Sequence, residues 1–277
     1  MARAQTKHQI EISPAASRRQ IDLAIGALGQ LSRLTRPKFY GIEKVTDPRL
    51  MLVGNHTIYG VFDIPFMVAE VYRRNGLMIR SLGDHRHWAV PGWGQFLEGL
   101  GAVRGTREIT SELMRRGEPI LVFPGGAREV NKRRGEKYEL FWKNRLGFAG
   151  LAIEHGYPIV PFAAVGGEEM LDVVLDEHNP IYGRFADVAR KTVGWPLPTL
   201  ARGIGLTPIP RPQRLYFWFG DPVQTKPYAG RGAEGAREVR DLVKQEVETG
   251  IEFLLAERAQ DPERHLIRRL LAHSDAE

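Results

Sequence analysis

Apolar residues along the chain fall into short unbroken runs that alternate with longer segments of helical spacing. The segments 62–74, 107–116 and 145–155 repeat their apolar residues about every 3.6 positions and predict helices. The unbroken runs have the length and composition of buried strands. They are Leu50 to Val53, Ile120 to Phe123, Ile159 to Val165 and Leu215 to Phe219. Since such alternation is typical of a sheet with helices on its faces, we predict an α/β fold.

Both ends of the chain predict amphipathic helices. Near the N-terminus, apolar residues recur at helical spacing from Ile21 to Leu34, and Ser13-Pro14 predicts the cap and the first turn. We therefore divide the chain into a helical segment, residues 1–37, and an α/β domain, residues 38–277. The apolar stripe favours packing on the protein's own core, and its basic flanks leave contact with anionic lipid as the alternative. A similar period predicts a closing helix over residues 232–258.

The segment 193–214, "VGWPLPTLARGIGLTPIPRPQR", fits neither a helix nor a strand, because five prolines interrupt its apolar residues. We expect a long loop or a broken helix. Two interpretations stay open. The segment is either a connector that covers core surface or an apolar lip that faces a lipid chain or a membrane.

Composition narrows the classes of function. Cysteine is absent, which excludes disulfides, thiol nucleophiles and thiolate ligands. The net charge of +6 suits an anionic ligand such as a nucleotide, a lipid phosphate or a membrane surface. Basic and acidic residues are interleaved, so we expect no nucleic-acid partner. No run approaches the ~18 apolar residues of a membrane span, and residues 1–20 lack the apolar centre of a signal peptide, so we predict a cytoplasmic, peripheral protein.

One candidate for catalysis follows the first predicted strand, where "LVGNHTIYGVFDIPF" places His56 after a Gly-Asn turn. The carboxyl ends of strands are where α/β folds bind their ligands. A histidine that acts as a general base needs an orienting partner, and Asp63 is the nearest downstream carboxylate. The alternative is that Asp63 caps the helix that follows.

A second candidate is the glycine-rich turn in "ILVFPGGAREV", which follows another predicted strand. The peptide N–H groups of Gly125, Gly126 and Ala127 could stabilise an oxyanion or bind an anion. Arg128 and Glu129 would add charge at its rim. A plain turn between a strand and a helix would look the same.

Other charged residues are weaker candidates. Arg104 and Arg107 lie in "LGAVRGTRE" and could clamp a phosphate, although surface arginines are the simpler interpretation. Lys143 and Arg145 either add positive charge to the same site or lie on a solvated helix face. The basic run 131–139 is either a mobile loop near the site or near an anionic bilayer, or simply solvated.

Several familiar sites are absent from the sequence: a G-x-S-x-G elbow, a Walker A loop, an H-E-x-x-H helix and a paired-cysteine zinc site. His85 and His87, beside Asp84, supply only half of a zinc shell, so we expect no metal site.

In their order and spacing, these blocks resemble the glycerolipid and lysophospholipid acyltransferase superfamily. Its motifs correspond here to Asn55-His56 with Asp63, to Gly101 to Arg107, to "FPGGAR" at 123–128 and to "YPIVPFAAV" at 157–165. The P-G-G-x-x-E form, in which Gly125 replaces the usual glutamate and Glu129 follows, is similar to the diacylglycerol acyltransferase and phytyl ester synthase branch. Six residues separate His56 from Asp63, where the family motif has four.

The resemblance implies a glycerol-3-phosphate acyltransferase-like fold, with a mixed, mostly parallel sheet, and an enzyme without a cofactor. His56 would remove the proton of a hydroxyl group on a lipid acceptor, which attacks acyl-CoA directly at the inner face of a membrane. Asp63 would orient His56, with Asn55 and Glu129 in support. Gly125, Gly126 and Ala127 would stabilise the oxyanion, and Arg104, Arg107 and Arg128 would bind phosphate. Lysophosphatidate acylation, or a silent protein that only binds acyl-CoA or lipid, is the alternative.

Overall fold

The computed structural model describes residues 12–60, 62–193 and 199–274. Within these ranges, seven strands form one sheet in the order β1-β9-β6-β2-β5-β3-β4, and two more form a separate antiparallel pair, β7-β8. The strands are β1 Lys38–Tyr40, β2 Met51–Gly54, β3 Arg80–Gly83, β4 Val103–Arg104, β5 Ile120–Val122, β6 Ile159–Val165, β7 Asp172–Leu175, β8 Leu200–Arg202 and β9 Tyr216–Phe219. Neighbouring strands of the large sheet run parallel except β6 and β9. The predicted mixed, mostly parallel α/β fold is confirmed.

Helices cover both faces of the large sheet. They are α1 Arg18–Thr35, α2 Ile64–Asn75, α3 Trp93–Gly99, α4 Arg107–Arg115, α5 Ala127–Val130, α6 Gly147–His155, α7 Pro180–Val193, α8 Gly232–Gln260 and α9 Leu266–Ser274. Alternate residues of a strand point to opposite faces, and β2 shows it. Met51 and Val53 pack in the cluster under α4, α6 and α8, whereas Leu52 packs with α2 on the other face. The two cores therefore hold β2 and its carboxyl end rigidly between them.

The N-terminal helix begins four residues later than predicted. Ser17 caps it, because the Ser17 hydroxyl accepts the N–H of Gln20 and the Gln20 side chain accepts the N–H of Ser17. This reciprocal pair satisfies two backbone N–H groups that have no partner inside the first turn of the helix. The helix therefore begins after Ser17 and not after Ser13. Helix α1 contacts α2 and α9, and Leu28 packs against the core. The favoured interpretation of the apolar stripe, packing on the protein's own core, therefore fits Leu28 but not Leu31 and Leu34, which are exposed.

The expectation of a loop or a broken helix over 193–214 was wrong at residues 200–202, which pair with β7 as a short strand. Residues 194–198 lie outside the described residues. Of the nine strands in the described ranges, five were missed, because each has four residues or fewer and no clear apolar run; these are β1, β3, β4, β7 and β8. Within the described ranges, no helix combines the length and the apolar character that crossing a bilayer requires.

Candidate active site

The carboxyl ends of β2, β3, β4 and β5 lie at one edge of the sheet, since these strands are parallel. His56 follows β2, His87 lies in the turn after β3, and the glycine-rich turn follows β5. This edge is where open α/β sheets form their ligand crevice. The structure therefore brings together the two candidate blocks that the sequence separates by almost 70 residues.

Asn55 holds the start of the His56 loop against the sheet. It is buried, and its amide donates to the carbonyl of Ala164 at 3.0 Å and accepts the N–H of Ala164 at 2.8 Å. The side chain thereby continues the backbone pairing of β2 with β6 by one step. Gly54 is needed beside it, because a Cβ there would lie 2.5 Å from the carbonyl oxygen of Phe162. Asn55 supports the site structurally.

The imidazole of His56 lies in a tight pocket between Phe123 and Gly60. The ring centroids of His56 and Phe123 are 4.2 Å apart, and a Cβ on Gly60 would lie 1.6 Å from Cε1 of His56. Gly60 has a φ of 59°, and the preceding Tyr59 has a φ of 58°, which is unusual for a residue with a side chain. The hydroxyl of Tyr59 donates to the carbonyl of Thr199 at 2.5 Å and helps to hold this backbone. Strained backbone of this kind often occurs at functional sites.

Burial, as the largest cause, and the nearby charges of Lys132 and His87 together lower the pKa of His56 to about 3, while a backbone hydrogen bond with Thr57 opposes the shift. The residue keeps some exposure, but its Nδ1 is buried and has no hydrogen-bond partner. The imidazole is therefore neutral near pH 7, which is the form that accepts a proton.

The sequence leaves two possible roles for Asp63, and its hydrogen bonds in the structure go to groups other than His56. Its Oδ1 accepts the hydroxyl of Thr57 and the N–H of Ile64, both at 2.9 Å, so it caps α2. Ile58–Gly60, which follow His56 closely, form a short 3-10 turn, and the Asp63 carboxylate accepts a hydrogen bond from the first residue of α2. The geometry is that of the cap considered as the alternative, and burial raises the pKa of Asp63. An orienting role for Asp63 stays a prediction.

Two charged side chains hold the backbone of His56 instead. Glu129, which is fully buried, accepts the N–H of His56 and the N–H of Phe141, both at 2.9 Å. Lys132 donates to the carbonyl of His56 at 3.2 Å and pairs with the buried carboxylate of Glu168. The segment after β5 therefore fixes both peptide groups of the candidate base. The pairing of Lys132 with Glu168 was missed, because nothing in the basic run 131–139 indicates a partner 36 residues away.

The glycine-rich turn has one of its three predicted donors already in use. The N–H of Gly126 donates to the carbonyl of Phe123 at 3.0 Å, and Gly126 has a φ of 49°. The exposed Arg145 donates to the carbonyl of Pro124 at 2.6 Å. It therefore lies at this turn, as expected if it adds positive charge to the site. The oxyanion role of Gly125, Gly126 and Ala127 stays a prediction, with Arg145 as an added source of positive charge.

The three predicted phosphate-binding arginines face protein groups. Arg128 bonds Glu136 at 2.5 Å and lies 3.9 Å from the ring centroid of Phe141. Arg107 bonds Glu154 of α6 at 2.5 Å, and Arg104 lies over the ring of Trp88 at 5.7 Å. Their role in binding phosphate stays a prediction.

The histidines after β3 are not arranged as a metal site. His87 Nδ1 accepts the indole N–H of Trp93 at 3.2 Å, and His85 Nδ1 lies 3.3 Å from the carboxylate of Asp84. Over the part of the chain that the structure describes, no three histidine, aspartate or glutamate side chains converge as metal ligands would.

Comparison with known proteins relates this arrangement to a family. Residues 36–165 match the profile of the Acyltransferase family. Phytyl ester synthase 1, chloroplastic, of Arabidopsis thaliana is 32% identical over 251 residues, which covers 82% of this chain and 36% of that protein. The Mus musculus "DGAT1/2-independent enzyme synthesizing storage lipids" is 28% identical over 172 residues, which covers 57% of this chain and 52% of that protein. The chain thus spans between a third and about half of the length of these relatives.

A solved structure shares the fold. The 1-acyl-sn-glycerophosphate (LPA) acyltransferase PlsC from Thermotoga maritima superposes with a TM-score of 0.52 at 18% identity, covering 87% of this chain and 84% of that chain. The family match includes β2 with His56 and β5 with the glycine-rich turn. Residues 36–165 of the chain therefore belong to the acyltransferase family.

Proposed function

We propose that this chain is an acyl-CoA-dependent O-acyltransferase that acylates a hydroxyl group of a glycerolipid or another lipophilic alcohol at a membrane surface. The observation that carries the proposal is the setting of His56. A neutral imidazole lies at the carboxyl end of a central strand, and Glu129 and Lys132 fix its backbone. The relatives named as a phytyl ester synthase and a storage-lipid enzyme support an acceptor of this class.

In the proposed reaction, His56 removes the proton from the acceptor hydroxyl as its oxygen attacks the thioester carbonyl carbon of acyl-CoA. The tetrahedral intermediate carries its negative charge on the former carbonyl oxygen, near the glycine-rich turn and Arg145. When the intermediate collapses, the C–S bond breaks and the leaving CoA thiolate takes from His56 the proton that came from the acceptor hydroxyl. The products are an ester and free CoA. No acyl-enzyme forms, in keeping with a chain that has no cysteine.

Exposed apolar side chains support a membrane surface as the place of reaction. On α7, Ile181 and Phe185 are 72% and 65% exposed, and after β8 Leu206 is 85% exposed. Large exposed apolar side chains often mark a surface that binds another molecule or a membrane. We propose that α7 and the segment after β8 dip into the cytoplasmic face of a membrane, which is the lipid-facing interpretation of 193–214. A lipid acceptor would then reach the crevice without crossing water.

The test is acceptor-dependent release of free CoA from palmitoyl-CoA by the purified protein. Liposomes would carry, one at a time, monoacylglycerol, diacylglycerol, lysophosphatidate and long-chain alcohols. Release that requires an acceptor supports the transferase and identifies the acceptor class. Competition between diacylglycerol and lysophosphatidate distinguishes the proposal from lysophosphatidate acylation.

A second candidate function follows from the unpaired Nδ1 of His56. A base whose second nitrogen lacks a carboxylate partner is neither oriented nor stabilised when protonated. The chain would then bind acyl-CoA or lipid without turnover. Saturable binding of acyl-CoA, with no CoA release for any acceptor, favours this function over the transferase.

A further inference from the structure

A basic cavity lies beside the His56 region, between the segment after α5 and the β7-β8 pair. Its volume is about 490 Å³. It is lined by Arg133, Arg134, Gly135, Lys137, Asp172, Val173, Val174 and Arg202. Four of these eight residues are cationic and one is acidic, so the cavity presents a local excess of positive charge.

The charges of this cavity are only partly balanced by protein groups. Arg133 pairs with Glu177, and Asp172 is engaged by Arg211 at 2.7 Å. The remaining cations, Arg134, Lys137 and Arg202, are exposed and form no salt bridge with any residue that the structure describes. The hydrogen bond from Arg211 lowers the pKa of Asp172, and Lys137 and Arg202 lie near enough to Asp172 to help lower it. Three like charges around one cavity repel one another, and a multiply charged anion between them would relieve that repulsion.

The cavity is anchored at both sides. Lys132, two residues before Arg134, is buried between the carbonyl of His56 and Glu168. On the other side, the N–H of Arg134 donates to the carboxylate of Asp176 at 3.2 Å, directly after β7. The cationic side chains therefore project from a backbone that is fixed to the His56 loop and to the β7-β8 pair. Such preorganisation lowers the entropic cost of binding a ligand.

We propose that this cavity is a subsite that binds the phosphate groups of a substrate. The inference rests on the proposed function for the identity of the substrate, while the phosphate chemistry follows from the three unpaired cations. Guanidinium groups bind phosphate oxygens in pairs, and an ammonium group adds a point charge. The phosphates come from the nucleotide end of acyl-CoA or from an anionic lipid headgroup. The subsite adds an anion site to the one expected from Arg104, Arg107 and Arg128.

Binding measurements on the full chain test the subsite and identify the source of the phosphate. One arm measures the Kd for CoA by calorimetry. The other measures cosedimentation with phosphatidylcholine vesicles with and without phosphatidylglycerol. The test protein is a triple variant, and the matched control removes three exposed cations elsewhere. The substitutions are Arg134→Ala, Lys137→Ala and Arg202→Ala in the test protein and Lys226→Ala, Arg237→Ala and Arg268→Ala in the control.

We expect the test variant to lose ~10-fold or more in affinity, since a charge-assisted hydrogen bond typically contributes that much. If the test variant loses affinity for CoA alone, the subsite binds the phosphates of the nucleotide. If it loses affinity for anionic vesicles alone, the subsite binds a lipid headgroup. The control should match the wild type in both arms. Wild-type affinity of the test variant in both arms, or an equal loss in the control, would overturn the subsite.

Neither binding measurement depends on turnover, so the subsite proposal and the transferase proposal can be refuted independently. Loss of binding in a protein that never releases CoA would leave the subsite standing and refute the transferase. Wild-type turnover together with an unchanged KM for acyl-CoA and unchanged vesicle binding in the test variant would refute the subsite alone. Because the three residues are exposed, their removal should leave the fold intact, which circular dichroism checks.

Discussion

Glu129 accepts the peptide N–H of His56 at 2.9 Å, and its side chain fills the space in which a side chain at position 125 would lie. A Cβ on Gly125 would be 1.9 Å from Cδ of Glu129. The F-P-E-G pattern of the resembling family places a glutamate at that position, whereas this chain places glycine there and a glutamate four residues later. The carboxylate of Glu129 therefore reaches the same volume from the other side of the turn.

The first prediction concerns the role of Glu129, whose carboxylate fills the space beside Gly125. Glu129→Ala leaves the N–H groups of His56 and Phe141 without a partner in a buried place. Unfolding free energy should fall by about 3 kcal/mol, since each unsatisfied buried donor costs ~1–3 kcal/mol. Transfer activity should fall with it, because the position of His56 is lost. Chemical denaturation and CoA release measure the two effects.

The matched control is Gly125→Glu, alone and combined with Glu129→Ala. Gly125 does not have a left-handed φ, so its backbone tolerates a side chain. Alone, Gly125→Glu forces two carboxylates into one volume and should destabilise strongly. In the double variant the new glutamate takes the vacated space, so the double variant should be more stable than either single variant. Additive losses in this cycle would show that the two positions do not share a role.

The second prediction concerns Gly60, which lies against the imidazole. Gly60→Ala places a side chain on a residue with a left-handed φ, which strains the backbone. It also places a methyl group 1.6 Å from Cε1 of His56. Gly76→Ala is the matched control, since Gly76 has a φ of 67° and open space around its Cβ position. Both should lose about 1 kcal/mol from backbone strain. Only Gly60→Ala should also lose most of its transfer activity, and equal activities in the two variants would contradict the placement of the ring.

The third prediction concerns pH. The pKa of His56 is lowered to about 3, so its neutral form predominates where an ordinary histidine, with a pKa of about 6.5, would titrate. A base must be neutral to accept a proton, so activity is retained above its pKa and lost below it. We therefore expect kcat/KM to show no histidine-like inflection from about pH 8 down to about pH 5. An acidic limb centred near the ordinary histidine pKa would contradict the burial of His56.

The fourth prediction concerns the exposed apolar face of α7. Replacing Ile181 and Phe185 together by serine should weaken vesicle binding by ~10-fold or more, because each buried apolar side chain contributes ~1.5–3 kcal/mol. The matched control replaces Ile267 and Leu271 of α9, which are 73% and 61% exposed. Cosedimentation measures both variants. Equal loss in the two pairs would mean that the membrane contact is not specific to α7.

Much of the fold could be predicted from the sequence because its longest elements carry strong periodicity. Strand β6, which is buried along all seven residues, and helix α8, with its regularly spaced valines, lie close to their predicted bounds. The short strands at the edges and the β7-β8 pair could not be predicted, since pairing rather than composition defines a strand of three or four residues. The cap at Ser17 was missed because Ser13-Pro14 offered a similar pattern.

The site was predictable only where chemistry and strand ends coincide. His56 and the glycine-rich turn each follow a buried strand, so the sequence alone predicted that both lie at the carboxyl edge of the sheet. Of the partners that hold His56, Glu129 was named from the sequence as a support, whereas the pair of Lys132 and Glu168 could not be predicted, because the two residues are distant in sequence and look like solvated charges. Asp63, which the family motif predicts to orient His56, caps α2 in this structure, and its orienting role stays a prediction.

The fifth prediction is the direct test of the central claim, that His56 removes the acceptor proton. Single-turnover acyl transfer would be measured for the wild type, for His56→Ala and for His155→Ala, whose histidine bonds Ser111 on α4. His56→Ala should bind acyl-CoA as the wild type does and lose ~10²- to 10⁴-fold in rate, which is the usual contribution of a general base. His155→Ala should keep its rate. A folded His56→Ala protein that transfers the acyl group at the wild-type rate would contradict the account.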